Sequence, residues 1–186
     1  MPLEVQRWSA SGLMARIAIV ALTGVTVATS SLHHVFARPN FWDPVTEADF
    51  FAVYAYSAAW LLTAASLMIL REAARPAPVL SRSVLVVAAA CAMTGIANGI
   101  EDGLGFKSFG LPYVIGSLGG LIGMPVIAAM FWTSPARNLA FVPAIGGIAM
   151  ITVTIGGGVL GIPAWLGFAA ILIRERGKAD GESSAT

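Results

Sequence analysis

Residues 138 to 173 read NLAFVPAIGGIAMITVTIGGGVLGIPAWLGFAAILI, a stretch of 36 residues without Asp, Glu, Lys or Arg. A straight α-helix of this length would span about 54 Å, at 1.5 Å per residue. The hydrocarbon core of a bilayer is only about 30 Å thick. The stretch therefore predicts either a hairpin of two short helices that turns at Gly156–Gly158, or one tilted helix. In the second case, the helix follows an interfacial stretch that contains Pro143 and Gly146–Gly147.

Four further stretches also lack charged residues, and the whole chain is strongly apolar. These stretches are 17–37, 50–70, 83–100 and 108–136. The chain is 57% hydrophobic and 11% charged, with a mean hydropathy of +0.80, whereas soluble domains average about 25% charged residues. Since backbone groups in lipid must be paired within their own segment, the spans should be helices. We expect an all-α, polytopic bundle in a single domain, with the lipid bilayer around it.

The positions of the Lys and Arg residues favour six spans over five. With six spans and a cytoplasmic N-terminus, nine cations lie on the cytoplasmic side, where such residues concentrate. They are Arg7, Arg16, Arg71, Arg75, Arg82, Arg137, Arg174, Arg176 and Lys178. The other side then holds only Arg38 and Lys107. Five spans, the alternative, would move the three C-terminal cations outside and nearly remove the bias.

The predicted span boundaries follow from the charged gaps. The spans are expected at about 13–37, 48–70, 82–101, 111–133, 138–155 and 159–173. Residues 174–186 are polar or small, which predicts a disordered cytoplasmic tail. We expect the protein in the plasma membrane. Its net charge of +1 gives no reason to expect nucleic acid as a partner.

An internal sequence similarity argues against a turn at Gly156–Gly158. The sequence GGLIGMP at 119–125 is echoed by GGVLGIP at 157–163. A true duplication would place the second copy inside a helix, as we expect for the first, and not at a turn. In a chain with 20 glycines, chance or a shared packing need is the better explanation.

Several residues mark helix ends and membrane interfaces. Thr46 with Asp49 three residues later resembles a capping pair that opens the second span. Ser81 or Ser83 could cap the third span, and Pro112 suits the first turn of the fourth. The tryptophans divide into two groups: Trp8, Trp42 and Trp132 near interfaces, and Trp60 and Trp165 near mid-span, facing lipid or a cavity.

Glycines recur at the four-residue spacing of helix contacts. They are Gly95, Gly99 and Gly103 on the third span, and the pairs Gly116/Gly120 and Gly119/Gly123 on the fourth. Small residues allow close helix approach in lipid. We expect these faces to pack within the bundle, or else to contact a homo-oligomer or another membrane subunit. A Gly99→Leu substitution should then disrupt assembly. Cys91, the single cysteine, is expected to be a small apolar packing residue.

Polar side chains on three spans should meet in the non-cytoplasmic half of the bundle. The first span contributes Thr23, Thr26, Ser30 and His33 or His34; the second Asp49, Tyr54 and Ser57; the third Thr94, Asn98, Glu101 and Asp102. Polar groups within a membrane usually face the interior and often mark function. Asn98, Tyr54, Ser57, Trp60 and Ser30 are our candidates for contacting a substrate.

Glu101, Asp102, His33 and His34 are the candidate catalytic residues. Two carboxyls side by side can act as general acid and base when burial raises one pKa, and histidine titrates near neutral pH. The structural alternatives are a solvated helix end and interfacial histidines. Adjacent histidines point about 100° apart on a helix, so they do not share one metal ion well. We predict neither a metal nor another cofactor.

Three functions are compatible with this pattern. An accessory or structural membrane subunit explains the glycine faces with the fewest assumptions. A membrane-embedded enzyme would use the polar cluster for acid–base chemistry on a hydrophobic small molecule, such as an isoprenoid or lipid. A small proton-coupled transporter would use the same residues as a relay, with a fourth helix interrupted at Pro125 as its solute site.

Overall fold

The computed structural model describes residues 8–40 and 43–183, except for the side chains of Lys107 and of 178–183. Trp42, predicted at an interface, lies outside this part of the chain. The described residues form α1 (Ala10–Ala37), α2 (Glu47–Ala74), α3 (Pro78–Asn98), α4 (Gly110–Trp132), α5 (Phe141–Ile151) and α6 (Gly161–Ser183). Shorter 3₁₀ segments join them at Lys107–Phe109, Arg137–Leu139, Val153–Ile155 and Gly157–Leu160.

The fold is the predicted bundle of membrane-spanning helices. Five described segments are long and apolar enough to cross a bilayer: Ala10–Ala37, Glu47–Ala74, Pro78–Gly103, Gly110–Trp132 and Gly157–Gly177. The apolar helical segment Arg137–Ile151, which contains α5, is shorter. The chain is thus a multi-pass integral membrane protein with five or six spans.

The helices form a closed ring in sequence order. Each helix packs on its neighbours in the chain, and α6 returns to pack against α1. The α1–α2 and α3–α4 connections lie at one end of the ring, which we call the acidic end because it carries Asp43, Glu47, Asp49, Glu101 and Asp102. The opposite end, the basic end, carries most of the arginines.

The last charge-free stretch is the hairpin and not the tilted helix. Gly156 has a left-handed φ of +95°, which glycine adopts readily, and it separates α5 from α6. The Ser31 hydroxyl of α1 donates to the Val153 carbonyl at 2.7 Å and accepts from the Gly158 amide at 3.0 Å. At the other end of α6, Arg176 donates to the Trp8 carbonyl at 3.2 Å. The chain therefore reverses direction at Gly156.

The two copies of the glycine-rich heptapeptide are not structurally equivalent. Residues 119–125 lie inside α4, whereas 157–163 form the 3₁₀ segment after the turn and the first residues of α6. The similarity therefore reflects shared composition and no common structural role.

The helix ends agree only partly with the predictions. Thr46 and Asp49 form the expected capping box at α2, and Pro112 lies in the first turn of α4. The Ser81 and Ser83 prediction is wrong: α3 begins at Pro78, whose fixed φ suits a first helical position. Ser81 instead accepts a 2.7 Å bond from Arg71. α6 also continues as helix to Ser183, past the predicted end of the span at residue 173.

Glycines and tryptophans fill the interior together. A Cβ on Gly95 would come within 2.7 Å of the Ser57 carbonyl, and one on Gly116 within 2.9 Å of the Ala90 carbonyl. A Cβ on Gly120 would meet the Trp60 ring at 2.7 Å. Trp60 and Trp165 are both fully buried, facing neither lipid nor a cavity. Cys91 is likewise buried in this core. The predicted glycine faces thus hold α2, α3 and α4 together within one chain.

Candidate functional site

A cavity of about 440 Å³ opens between the helices at the acidic end. Its volume falls within the range of sites that hold small organic molecules. We call it the acidic-end cavity. It is lined by His34, Pro39, Asn40, Tyr56, Asn98, Glu101, Asp102, Gly110, Tyr113, Val114 and Thr154. Four of the nine predicted site residues, His34, Asn98, Glu101 and Asp102, therefore share one cavity.

A π-helical turn positions the two carboxylates. α3 passes into a π-helix over Gly99–Gly103, which contains Glu101 and Asp102. Such wide turns are rare and often occur at functional sites. The turn keeps Asn98 and both acids along the same cavity. The Glu101 carboxylate also lies against the start of α4, since a Cβ on Gly110 would be 3.2 Å from its Oε1.

Asn98 is the most constrained polar residue of the site. Its side chain is almost fully buried, with 1% of its surface exposed. Its Nδ2 donates to the Val53 carbonyl at 3.2 Å and to the Ser57 hydroxyl at 2.9 Å. Because the Val53 carbonyl only accepts, the orientation of the amide is fixed. The Oδ1 atom then finds no hydrogen-bond partner among the described residues, although a buried acceptor without a partner is costly.

The two histidines have different surroundings. His34 lines the cavity, and its Nδ1 lies 2.9 Å from the Ser30 carbonyl. Since a carbonyl can only accept, Nδ1 carries the hydrogen, and Nε2 of the neutral ring is the basic atom. His33 lies outside the cavity lining. Its Nε2 contacts the Ala48 carbonyl at 2.9 Å, and its ring packs on Phe51, so it joins α1 to α2.

Aromatic rings form much of the wall. Tyr56 of α2 and Tyr113 of α4 line the cavity, and their side chains interact with each other. The Tyr56 ring lies edge-on to Trp60, with 6.1 Å between ring centroids, and 6.4 Å from the His34 ring. Trp60, predicted to line the cavity, instead lies behind Tyr56 in the core.

The remaining predicted contact residues have structural roles outside the cavity lining. The Tyr54 hydroxyl donates to the Gly103 carbonyl at 3.0 Å, closing the π-helical turn. Ser57 accepts from Asn98. Ser30 is buried on α1, where its carbonyl bonds His34 and its hydroxyl has no partner among the described residues. Asp49, from the same polar pattern, caps α2 and accepts from the Asn40 amide at 2.7 Å.

Sequence reasoning missed four polar residues of the lining: Asn40, Tyr56, Tyr113 and Thr154. Tyr113 lies in the first turn of an otherwise apolar helix at the acidic end, a position that could have identified it. Thr154 is brought to the cavity by the hairpin of α5 and α6, and nothing in its local sequence predicts that. Among the described residues, no group of three or more His, Cys, Asp or Glu side chains could hold a metal ion.

No protein-family model matches the sequence, and no curated protein and no solved structure is detectably similar to it. The chemistry of the cavity is therefore the basis for any functional assignment.

Proposed function

We propose that this membrane protein binds a small, largely apolar molecule in the acidic-end cavity and performs acid–base chemistry on it. The observation that carries the proposal is the Oδ1 atom of Asn98. It is buried beside a cavity without a hydrogen-bond partner among the described residues. A ligand that donates a hydrogen bond would satisfy it, because a polar group left unpaired away from water costs free energy.

The lining supplies groups for proton transfer. The imidazole of His34, whose Nδ1 donates to the Ser30 carbonyl, lies in the lining and is a group that can accept or donate a proton. Glu101 and Asp102 lie in the same lining as His34, so a bound molecule could give a proton to one group and receive one from another. Apolar Val114 and Pro39 and the two tyrosine rings would contact its body.

The alternatives fit this geometry less well. The transporter hypothesis depended on an interruption at Pro125, but α4 is continuous from Gly110 to Trp132. The accessory-subunit hypothesis depended on glycine faces available to a partner. Gly95, Gly116 and Gly120 instead pack on side chains and backbone of the same chain. We propose the plasma membrane as its location, with the acidic end away from the cytoplasm because the described arginines concentrate at the other end.

Filling the cavity tests the binding proposal. Val114 belongs to the cavity lining and Ile122 of the same helix does not, although both side chains are largely exposed, at 50% and 63%. Small molecules released from the purified protein would be identified by mass spectrometry. We expect Val114→Trp to lose a molecule that the unmodified protein and the matched Ile122→Trp variant retain. Equal contents in all three proteins would contradict the proposal.

The chemical step is tested by hydrogen exchange. In D₂O, the unmodified protein should transfer deuterium to a carbon atom of the identified molecule, and Glu101→Gln should abolish this transfer at equal occupancy of the cavity while the fold remains intact. An unchanged rate in Glu101→Gln would remove this residue from the mechanism.

A further inference from the structure

We propose that the ligand of the acidic-end cavity is an organic amine bound as its ammonium cation, with an apolar body. This inference rests on the proposed binding function and specifies the chemistry of the molecule bound. Three properties of the lining support it: its charge, its hydrogen-bonding capacity and its aromatic content.

The charge of the lining favours a cation. Its acidic side chains are Glu101 and Asp102, and no Lys or Arg belongs to the lining that the structure describes. A carboxylate in a cleft with apolar walls has its field focused into the cleft, and Glu101 by itself provides such a charge. A carboxylate or phosphate ligand would meet this field unfavourably, whereas a cation would be attracted.

The hydrogen-bonding capacity of the site favours a group with several donors. Asn98 Oδ1 is an acceptor, and ionised carboxylates are acceptors only. An ammonium group carries up to three donors and no acceptor, whereas a hydroxyl carries one donor. Bonds between an ammonium and a carboxylate are also roughly twice as strong as neutral ones. One ammonium group could therefore bond both Asn98 and a carboxylate.

The aromatic wall adds to the same preference. Tyr56 and Tyr113 line the cavity, and tyrosine rings attract cations held against their faces. The tyrosines, Pro39 and Val114 also provide apolar surface for the rest of the molecule. A bare metal ion fits less well, because the described acids and histidines are not grouped as a metal site.

Three matched probes separate the possibilities: 4-phenylbutylamine, 4-phenylbutanol and 4-phenylbutyrate. Binding to the full-length protein in nanodiscs would be measured at pH 7 by equilibrium dialysis, with empty nanodiscs as the partition control. We expect the amine to bind at least roughly tenfold more tightly than the alcohol, and the carboxylate to show no specific binding.

Charge-removing variants locate the bound ammonium. Glu101→Gln should weaken amine binding by roughly three- to tenfold and leave alcohol binding unchanged. Glu47→Gln is the matched control, because Glu47 is an exposed acid at the same end and outside the cavity. Val114→Trp should abolish binding of the amine.

The outcomes distinguish this inference from the proposed function. If the alcohol or the carboxylate binds as tightly as the amine and Val114→Trp blocks it, the amine inference is wrong and the binding function stands. Amine binding that is unaffected by the Glu101 and Val114 variants takes place elsewhere and overturns the inference. Saturable ⁶⁵Zn²⁺ binding that Glu101→Gln abolishes, without amine binding, would replace the amine by a metal. If no probe and no co-purified molecule binds, both proposals fail.

Discussion

Two buried polar contacts between neighbouring helices differ in whether all of their polar atoms have hydrogen-bond partners. Between α1 and α2, the Thr23 hydroxyl lies 2.8 Å from Ser66 Oγ, and its possible carbonyl acceptors, Ile19 and Leu62, lie at 2.8 and 3.2 Å. Between α2 and α3, Asn98 uses both donors of its amide but leaves Oδ1 without a partner among the described residues. We call the first contact closed and the second open, because Asn98, which lines the cavity, keeps an unpartnered acceptor.

This difference separates polar residues that hold helices together from polar residues available to a ligand. Thr23 and Ser66 are fully buried, in a region of close helix packing. Asn98 is as deeply buried but lies where the π-helix, the α1–α2 connection and α4 leave a space. Burial alone therefore does not distinguish the two roles, whereas an unpartnered polar atom in a residue that also lines a cavity does.

The largest expected effect comes from breaking the close packing beside the open contact. Gly95→Ala would place Cβ 2.7 Å from the Ser57 carbonyl, a backbone atom that cannot move without separating α2 from α3. We expect a loss of about 1–3 kcal/mol of stability or more, measured by thermal unfolding and by the yield of monodisperse protein.

Gly99→Ala is the matched control for that substitution. Its Cβ would lie 3.5 Å from Ser57 Oγ, an ordinary contact. Gly95 therefore tests the α2–α3 contact more directly than Gly99, the residue that the four-residue glycine spacing indicates. Equal destabilisation by the two substitutions would show that the α2–α3 contact is not as close as described.

A smaller effect should separate the closed contact from the open one. A double-mutant cycle on Thr23→Val and Ser66→Ala should give a coupling energy of about 0.6 kcal/mol, and at most about 1.7 kcal/mol.

In ligand-free protein, Asn98→Leu should lower the free energy of unfolding by less than Thr23→Val does, because it also removes an unpaired buried oxygen. Free energies of unfolding in mixed micelles would measure both. A larger cost for Asn98→Leu would mean that Oδ1 is already satisfied.

Much of the fold could be predicted because its causes are local. Charged residues are excluded from hydrocarbon, so the charge-free stretches predict the helices. The turn at Gly156 could be predicted because few residues other than glycine adopt its positive φ. The capping box of Thr46 and Asp49 is likewise a contact over three residues.

The site could be predicted only in part because it depends on contacts between distant segments. Adjacent histidines must point in different directions, but the choice of His34 over His33 depends on how α1 meets α2. Tyr113 reaches the cavity because α4 packs on α3, and Thr154 because the hairpin packs on α1, where the ring closes. The bond that helps to close it, from Ser31 to the hairpin, joins residues 122 positions apart. The π-helical turn that places Glu101 and Asp102 also has no recognised sequence signature.

The smallest expected effect lies at the basic end, farthest from the open contact. Arg16 of α1 bonds Glu72 of α2 at 2.8 Å, and its guanidinium lies 4.5 Å from the centre of the Trp8 ring. The two side chains are 30% and 44% exposed, and exposed ion pairs contribute about 0–1 kcal/mol. Arg16→Gln should therefore cost no more than this, and the cost should shrink in high salt because ions screen exposed charges.

Arg16→Lys separates the ring contact from the charge. Lysine keeps the charge but loses the planar contact with Trp8. The loss of stability in Arg16→Lys therefore measures the ring contact, and the additional loss in Arg16→Gln measures the charge. A salt-independent loss of several kcal/mol would instead mean that the pair is buried, and that α1 and α2 are held together at this end as tightly as they are at Thr23.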